Sequence, residues 1–291
     1  RQLLVSAAAL PLAARSFALQ PANSNEPGPS AGRPTYDRYR LTLDRVLHGS
    51  QPAYTSKFLL DDLTGAPGRR FTNFCGDLSG RWIGALASCS AAFGERFPVA
   101  DEFVVRAIAL QHPDGYFGRS FNASEPGDDD MALLWGNGRL LVGLLEYQAL
   151  NPTPQVLAAA RRLGDFLLRI APQFNSKQMA DAFNAAHFAS SYICWTQQTE
   201  GLAALYAATG DVRYRDLCGA VAKRIQRRPG DHVHGYLCSV RGMLDLYFAT
   251  KDEVWLNRSV DAWQDVASSG DLLITGGVPE AESPKKKRTE G

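Results

Sequence analysis

Three glutamates stand in the last twelve residues of the 291-residue chain: Glu280, Glu282 and Glu290. The first two follow Thr275-Gly-Gly-Val-Pro, and the third sits in Arg288-Thr-Glu290-Gly291. Carboxyl groups clustered on a loop rich in Gly and Pro are suited to acid–base chemistry. Cleavage of a glycosidic bond needs two groups flanking the scissile bond, one of them a proton donor with a raised pKa. By composition alone the segment reads better as a solvated acidic–basic loop, with Lys285-Lys-Lys-Arg288 as surface decoration.

Other stretches combine ring faces with polar groups. Gln111-His-Pro-Asp114-Gly-Tyr-Phe-Gly118 is one, and Asp128-Asp-Asp130 leading into Trp135-Gly-Asn137-Gly-Arg139 is another. Aromatic faces cover the C–H surface of a sugar while amides and carboxylates take its hydroxyls. The plain alternative for each is an Asp-Gly turn or a capped helix. His232 and His234, two apart beside Tyr236, precede a helical segment and form a further candidate pair.

Helices must position these groups. Leu202, Leu205, Tyr206 and Thr209 fall at helical spacing, as do Val240, Met243, Leu244 and Tyr247. Leu140, Leu141, Leu144 and Leu145 form a similar stripe. Gly210 predicts a left-handed stop and Asp211 the N-cap of the next helix. Thr153-Pro154 opens a helix through Ala171. Residues 36–78 are mixed, with a helix over Arg40–His48, and loops fall at 112–130 and 271–291.

A repeat organises the helices. Gly201-Leu-Ala-Ala-Leu-Tyr206-Ala-Ala-Thr-Gly-Asp211 recurs as Gly242-Met-Leu-Asp-Leu-Tyr247-Phe-Ala-Thr-Lys-Asp252, with Tyr214 and Trp255 following. A looser copy, Gly143-Leu-Leu-Glu-Tyr147, lies upstream. The unit is a helical hairpin stacked on its neighbours, which yields either an open solenoid or a closed toroid. Tyr147, Tyr206 and Tyr247 lie 59 and then 41 residues apart, and this unevenness favours a closed α/α barrel with a site built from its loops.

Composition excludes several classes. Thirty-one basic residues balance 30 acidic ones, so neither a nucleic-acid groove nor an anionic membrane footprint is expected. Arg1 followed by the apolar stretch Leu3–Ala14 and by Ser16-Phe-Ala18 reads as a signal peptide over 1–18, which implies a secreted or periplasmic protein. A leader rich in Pro, Gly and Ser spans 19–35, and the barrel takes 36–291. Cys75, Cys89, Cys194, Cys218 and Cys238 contain no Cys-x-x-Cys pair, so they are not expected to bind zinc by themselves.

Together, Trp135-Gly-Asn-Gly-Arg-Leu-Leu-Val-Gly-Leu-Leu-Glu-Tyr147, the two Leu-Tyr-x-Ala-Thr repeats, His234-Gly-Tyr before Arg241-Gly242, and Thr275-Gly-Gly-Val-Pro-Glu280 resemble glycoside hydrolase family 127. The likeness runs from about residue 36 to the last residue. It implies an all-α (α/α)6 barrel, incomplete at its C-terminus, belonging to a retaining enzyme related to β-L-arabinofuranosidases. It also implies a zinc-held cysteine thiolate as nucleophile. Zinc lowers a thiol's pKa, so the nucleophile is ionised at neutral pH.

In that family a Glu-x-Cys motif supplies zinc ligands. Glu290-Gly291 matches its first two positions, which makes Glu290 the metal candidate and puts the nucleophile beyond the chain. Glu282, ahead of Glu280, is the acid/base candidate. His234, or His232 in a shifted register, would contact substrate. Typical members carry histidines where this chain has the Trp135–Asn137 motif and Trp195, near Gln197. Trp135, Asn137, Trp195 and Gln197 are therefore the substrate-binding candidates of a divergent subgroup. Two other readings predict different outcomes: a metal-free lyase or unsaturated-glycan hydrolase on the same toroid, and a non-catalytic helical-repeat module.

Overall fold

The computed structural model describes residues 34–50, 53–66, 73–184, 192–228, 231–270 and 272–279. In chain order the helices are α1 (Pro34–His48), α2 (Ser56–Thr64), α3 (Asp77–Phe93), α4 (Pro98–Ile108), α5 (Asp128–Leu150), α6 (Pro154–Phe174), α7 (Lys177–Asn184), α8 (Ile193–Thr196), α9 (Gln198–Thr209), α10 (Val212–Ala222), α11 (Val233–Thr250) and α12 (Glu253–Ser268).

They form a two-layered wall. In the inner layer α3 packs on α5, α5 on α9, and α9 on α11. In the outer layer α4 packs on α6 and α6 on α10, while each of α4, α6, α10 and α12 folds back on the inner helix before it. This is the α/α barrel architecture that the hairpin repeat predicts. Because every hairpin returns the chain, the inner helices run in one direction, and their N-terminal ends gather at one mouth.

Burial separates the layers. Outer α6 buries Val156, Ala159, Ala160, Leu163, Leu167, Ile170 and Phe174 and leaves its other face to water, as an amphipathic helix does. Inner α5 has neighbours on both sides, and 15 of its 23 residues are buried, including Asn137 and Arg139. Glycines allow the inner helices to close up. A Cβ at Gly80 on α3 would lie 2.4 Å from the Arg139 carbonyl oxygen of α5, and one at Gly242 on α11 would lie 2.4 Å from the Glu200 backbone nitrogen of α9.

The 41-residue repeat is reproduced in detail. Asp211 and Asp252 both cap the helices that follow, accepting from Arg213 N and Val254 N. Cys218 Sγ donates to the Thr199 carbonyl, and at the equivalent place Ser259 Oγ donates to that of Val240. Gly210 ends α9 at φ 67°, while Lys251 ends α11 at φ 62° and is the one non-glycine residue with positive φ among those described. Lys251→Gly is expected to raise stability by about 0.5–1 kcal/mol in urea unfolding, because it removes the left-handed strain of a side-chain-bearing residue. A loss instead would show that the Lys251 ammonium over the Tyr247 and Phe248 rings outweighs that strain.

Several boundaries differ from the sequence expectation, and α1 begins at Pro34, six residues ahead of the expected Arg40. The α2 helix falls in a stretch read only as mixed. It is framed by Thr55, whose side chain accepts from Phe58 N, and by left-handed Gly65. The loop expected to reach residue 130 ends earlier, because Asp130 Oδ2 accepts from Gly127 N and starts α5 at Asp128. The stretch read as signal peptide and the leader up to residue 33 lie outside the described residues, as do Glu280, Glu282 and Glu290, whereas the last two leader positions, from Pro34, already belong to α1.

Candidate active site

The barrel mouth collects groups from three inner helices. Trp135 lies two turns into α5, and its Nε1 donates to Asp77 Oδ1 at 2.9 Å, in the first turn of α3. The His232 ring lies 5.1 Å from the Trp135 ring, and that of His234 lies 6.4 Å away. Phe74 meets the same indole edge-on at 6.4 Å. Such closeness requires Gly235, where a Cβ would come within 2.7 Å of the indole. Trp135 and the two histidines, widely separated in sequence, thus share one wall.

The start of α11 sets the histidines. His232 is its N-cap, with Nδ1 accepting from Gly235 N at 3.3 Å. His234, one residue into the helix, meets Arg81 Nη1 of α3 at 3.2 Å and Cys238 Sγ at 3.5 Å, both through Nε2. Arg81 is held in turn by Asp77, Nε to Oδ1 at 3.0 Å. Burial, followed by the positive charges of Arg81 and Arg139 and by His232, pushes the pKa of His234 down to about 4. The imidazole is therefore neutral at neutral pH.

A buried charge network lies beneath. Arg139 of α5 donates to Glu200 Oε2 of α9 at 2.7 Å and to Cys238 Sγ at 3.4 Å. Arg241 of α11 pairs with the other oxygen of Glu200. Arg139 and Glu200 are almost wholly buried.

Leu273–Pro279 approaches this end of the barrel. Its turn is closed by Leu273 N on the Gly277 carbonyl at 2.8 Å. Val278 packs on the core, Pro279 is buried, and His232 and Pro279 are the isolated β-bridge positions among the described residues.

Residues 64–289 match the family described as the Beta-L-arabinofuranosidase, GH127 catalytic domain. The chain belongs to the GH127 family. Among solved structures, a GH127 β-arabinofuranosidase is 14% identical with a TM-score of 0.52, the match covering 84% of this chain and 40% of that one. A GH127 β-L-arabinofuranosidase from Geobacillus stearothermophilus T6 is 16% identical with a TM-score of 0.52, over 84% of this chain and 46% of that one. At such identities the likeness is one of fold, and the chain spans less than half the length of either structure. No curated protein matches it.

Within this GH127 domain the sequence candidates divide. His232 and His234, both half-buried, meet at the mouth over the buried Trp135 indole. Asn137 is fully buried, with Oδ1 accepting from Phe117 N and Nδ2 donating to the carbonyls of Cys75, Phe117 and Leu133. Trp195 is also fully buried, packed on Phe174 with Nε1 on Asn175 Oδ1 at 2.9 Å. Gln197 is buried at the α8–α9 junction, and neither of its amide atoms has a hydrogen-bond partner among the described residues. The Gln111–Gly118 loop is tied to α6 through Gln111, which donates to the Ala159 carbonyl and accepts from Arg162.

Sequence reasoning passed over Asp77, Arg81, Glu200 and Cys238. A faint signal existed for Glu200, an acid directly before Gly201 on the repeat helix. Asp77 and Arg81, at i and i+4, look like an ordinary surface pair. Among the described residues no three His, Cys, Asp or Glu side chains converge as a metal would require. None of the five cysteines is disulfide-bonded, and no described helix is long and apolar enough to cross a membrane. A recess of about 640 Å³ opens at the opposite end of α3 and α5. Its charged groups are already engaged, Glu95 with Arg40 and Asp101 with Tyr147.

Proposed function

We propose that this GH127 domain serves a retaining glycoside hydrolase acting on non-reducing-end β-L-arabinofuranosides or closely related sugars. The observation that carries the reading is the mouth wall of Trp135, His232 and His234, coupled to family membership over residues 64–289. Trp135, itself only 4% exposed, backs the two histidines from below, and neutral His234 donates to a sugar hydroxyl. Glu282 or Glu280, following buried Pro279, would act as acid/base.

Zinc and a thiolate nucleophile belong to the proposal through Glu290 and the family's Glu-x-Cys motif. The described residues form no metal centre of their own, and Glu290 is the residue of this chain that would hold the ion. Export by an N-terminal signal is likewise proposed from the Leu3–Ala14 stretch.

Aryl glycoside hydrolysis by the whole gene product, with and without chelator, tests this reading alongside metal analysis. His234→Ala is expected to lower kcat/KM on the order of 100-fold while leaving the unfolding midpoint nearly unchanged, as loss of one well-placed donor does. Absence of hydrolysis on every furanoside and pyranoside, with zinc bound, would refute the hydrolase reading.

A further inference from the structure

Two donors converge on one nitrogen of His234. A guanidinium carries only N–H groups, so Arg81 Nη1, 3.2 Å from Nε2, must donate and Nε2 must accept. Cys238 Sγ lies 3.5 Å from the same nitrogen. Burial pushes the Cys238 thiol pKa up against the opposing charges of Arg139 and Arg81, so the sulfur keeps its proton. Arg139 Nη1 donates to that sulfur from the other side, which leaves the S–H for His234.

A neutral imidazole whose Nε2 accepts carries its proton on Nδ1. Among the described residues no group pairs with His234 Nδ1, and the side chain is only partly buried. The charged and titratable groups facing the ring are Arg81 and Asp77 from α3, Arg139 from α5, and Cys238 and His232 from its own element. Three of these are donors or cations that reject a proton on Nε2. Asp77, the one acid, is occupied: its Oδ1 takes both Arg81 Nε and Trp135 Nε1.

We propose that Arg81, anchored by Asp77, is a positioning residue that fixes His234 in the Nδ1–H tautomer, so that the site presents a hydrogen-bond donor to a sugar oxygen. This rests on the sugar-binding reading of the mouth and adds a direction to it. The sugar oxygen must accept, and an analogue lacking that oxygen leaves the Nδ1–H without a partner. The same Asp77 oxygen holds Trp135, so a single carboxylate aligns both the ring face and the donor.

Ring-nitrogen NMR of the ¹⁵N-histidine-labelled chain tests this, with His234→Gln identifying the signals. The expected spectrum shows Nδ1 bearing the proton and Nε2 bare at neutral pH. Arg81→Met should turn His234 toward the Nε2–H form that free imidazoles prefer and raise its titration midpoint from about 4 toward the ordinary histidine value. Arg81→Lys, which keeps a charged donor, should retain the native tautomer. A protonated Nε2 in the parent protein, or an unchanged tautomer in Arg81→Met, overturns the proposal. Arg81 is 41% exposed, so its substitution should leave the fold intact. These signals need no turnover. A whole gene product that binds zinc and shows the Nδ1–H form yet cleaves no glycoside refutes the hydrolase reading and leaves the tautomer lock standing.

Discussion

Glu200→Gln is expected to lower the unfolding free energy by about 3–5 kcal/mol, the range for breaking a buried ion pair by removing one partner. Glu200 is 2% exposed and Arg139 is 5% exposed. Their 2.7 Å contact joins α5 to α9, and Arg241 brings in α11 through the second carboxylate oxygen. Glutamine has nearly the same shape, so the loss reports charge and not volume. Arg139 would be left as a buried cation that still donates to the sulfur of Cys238. Arg241 can turn to water, its side chain being 41% exposed.

The double replacement Arg139→Met with Glu200→Leu should recover much of the loss, since apolar groups of similar volume avoid the desolvation of both charges. Urea unfolding of the two single variants and the double variant gives the coupling directly. A loss below about 1 kcal/mol for Glu200→Gln would mean that the pair is hydrated and does not tie the inner helices together.

Asn137 carries the second large effect. Its amide makes four hydrogen bonds joining three segments: Cys75 before α3, Phe117 in the loop before α5, and Leu133 of α5 itself. Asn137→Leu leaves a buried N–H and up to three carbonyls short of a partner. A loss of about 3–5 kcal/mol is expected, each unsatisfied group costing about 1–3 kcal/mol with partial relaxation.

Asn137→Asp sharpens the test. An ionised carboxylate still accepts from Phe117 N but turns a negative oxygen toward three carbonyls. The aspartate's folded pKa should therefore rise above its unfolded value, near 3.9. The folded state then binds the proton more tightly, so this variant should be least destabilised below that unfolded value and lose stability as pH rises through the folded pKa. A stable Asn137→Leu protein impaired only in sugar binding would return Asn137 to the role that its Trp-Gly-Asn-Gly setting suggests.

These two residues show where sequence reasoning works and where it stops. The outer helices are half exposed, so periodicity names their buried face, as Val156, Leu163, Leu167 and Ile170 of α6 illustrate. The caps are equally local. Asp211, Asp252 and Gly210 act within a few residues of themselves, and the repeat at 41 residues follows from such local rules. Inner helices offer no such contrast. With neighbours on each side, α5 buries sugar-like motifs and core residues alike, so Asn137 and Trp135 look equivalent in sequence. In three dimensions, one clamps backbone and the other packs beneath the histidines of the mouth.

The sequence by itself determined the helical hairpins, their repeat, the barrel class and the family likeness, because each depends on residue type at short or regular spacing. Only the tertiary structure decided which polar residues meet. Arg139 with Glu200 spans 61 residues and Arg81 with His234 spans 153. Those pairings depend on how four inner helices stack, which glycines at Gly80, Gly235 and Gly242 permit by close approach. A contact set by helix packing has no signature at either of its ends, and for that reason the residues that hold His234 were invisible until the helices were placed together.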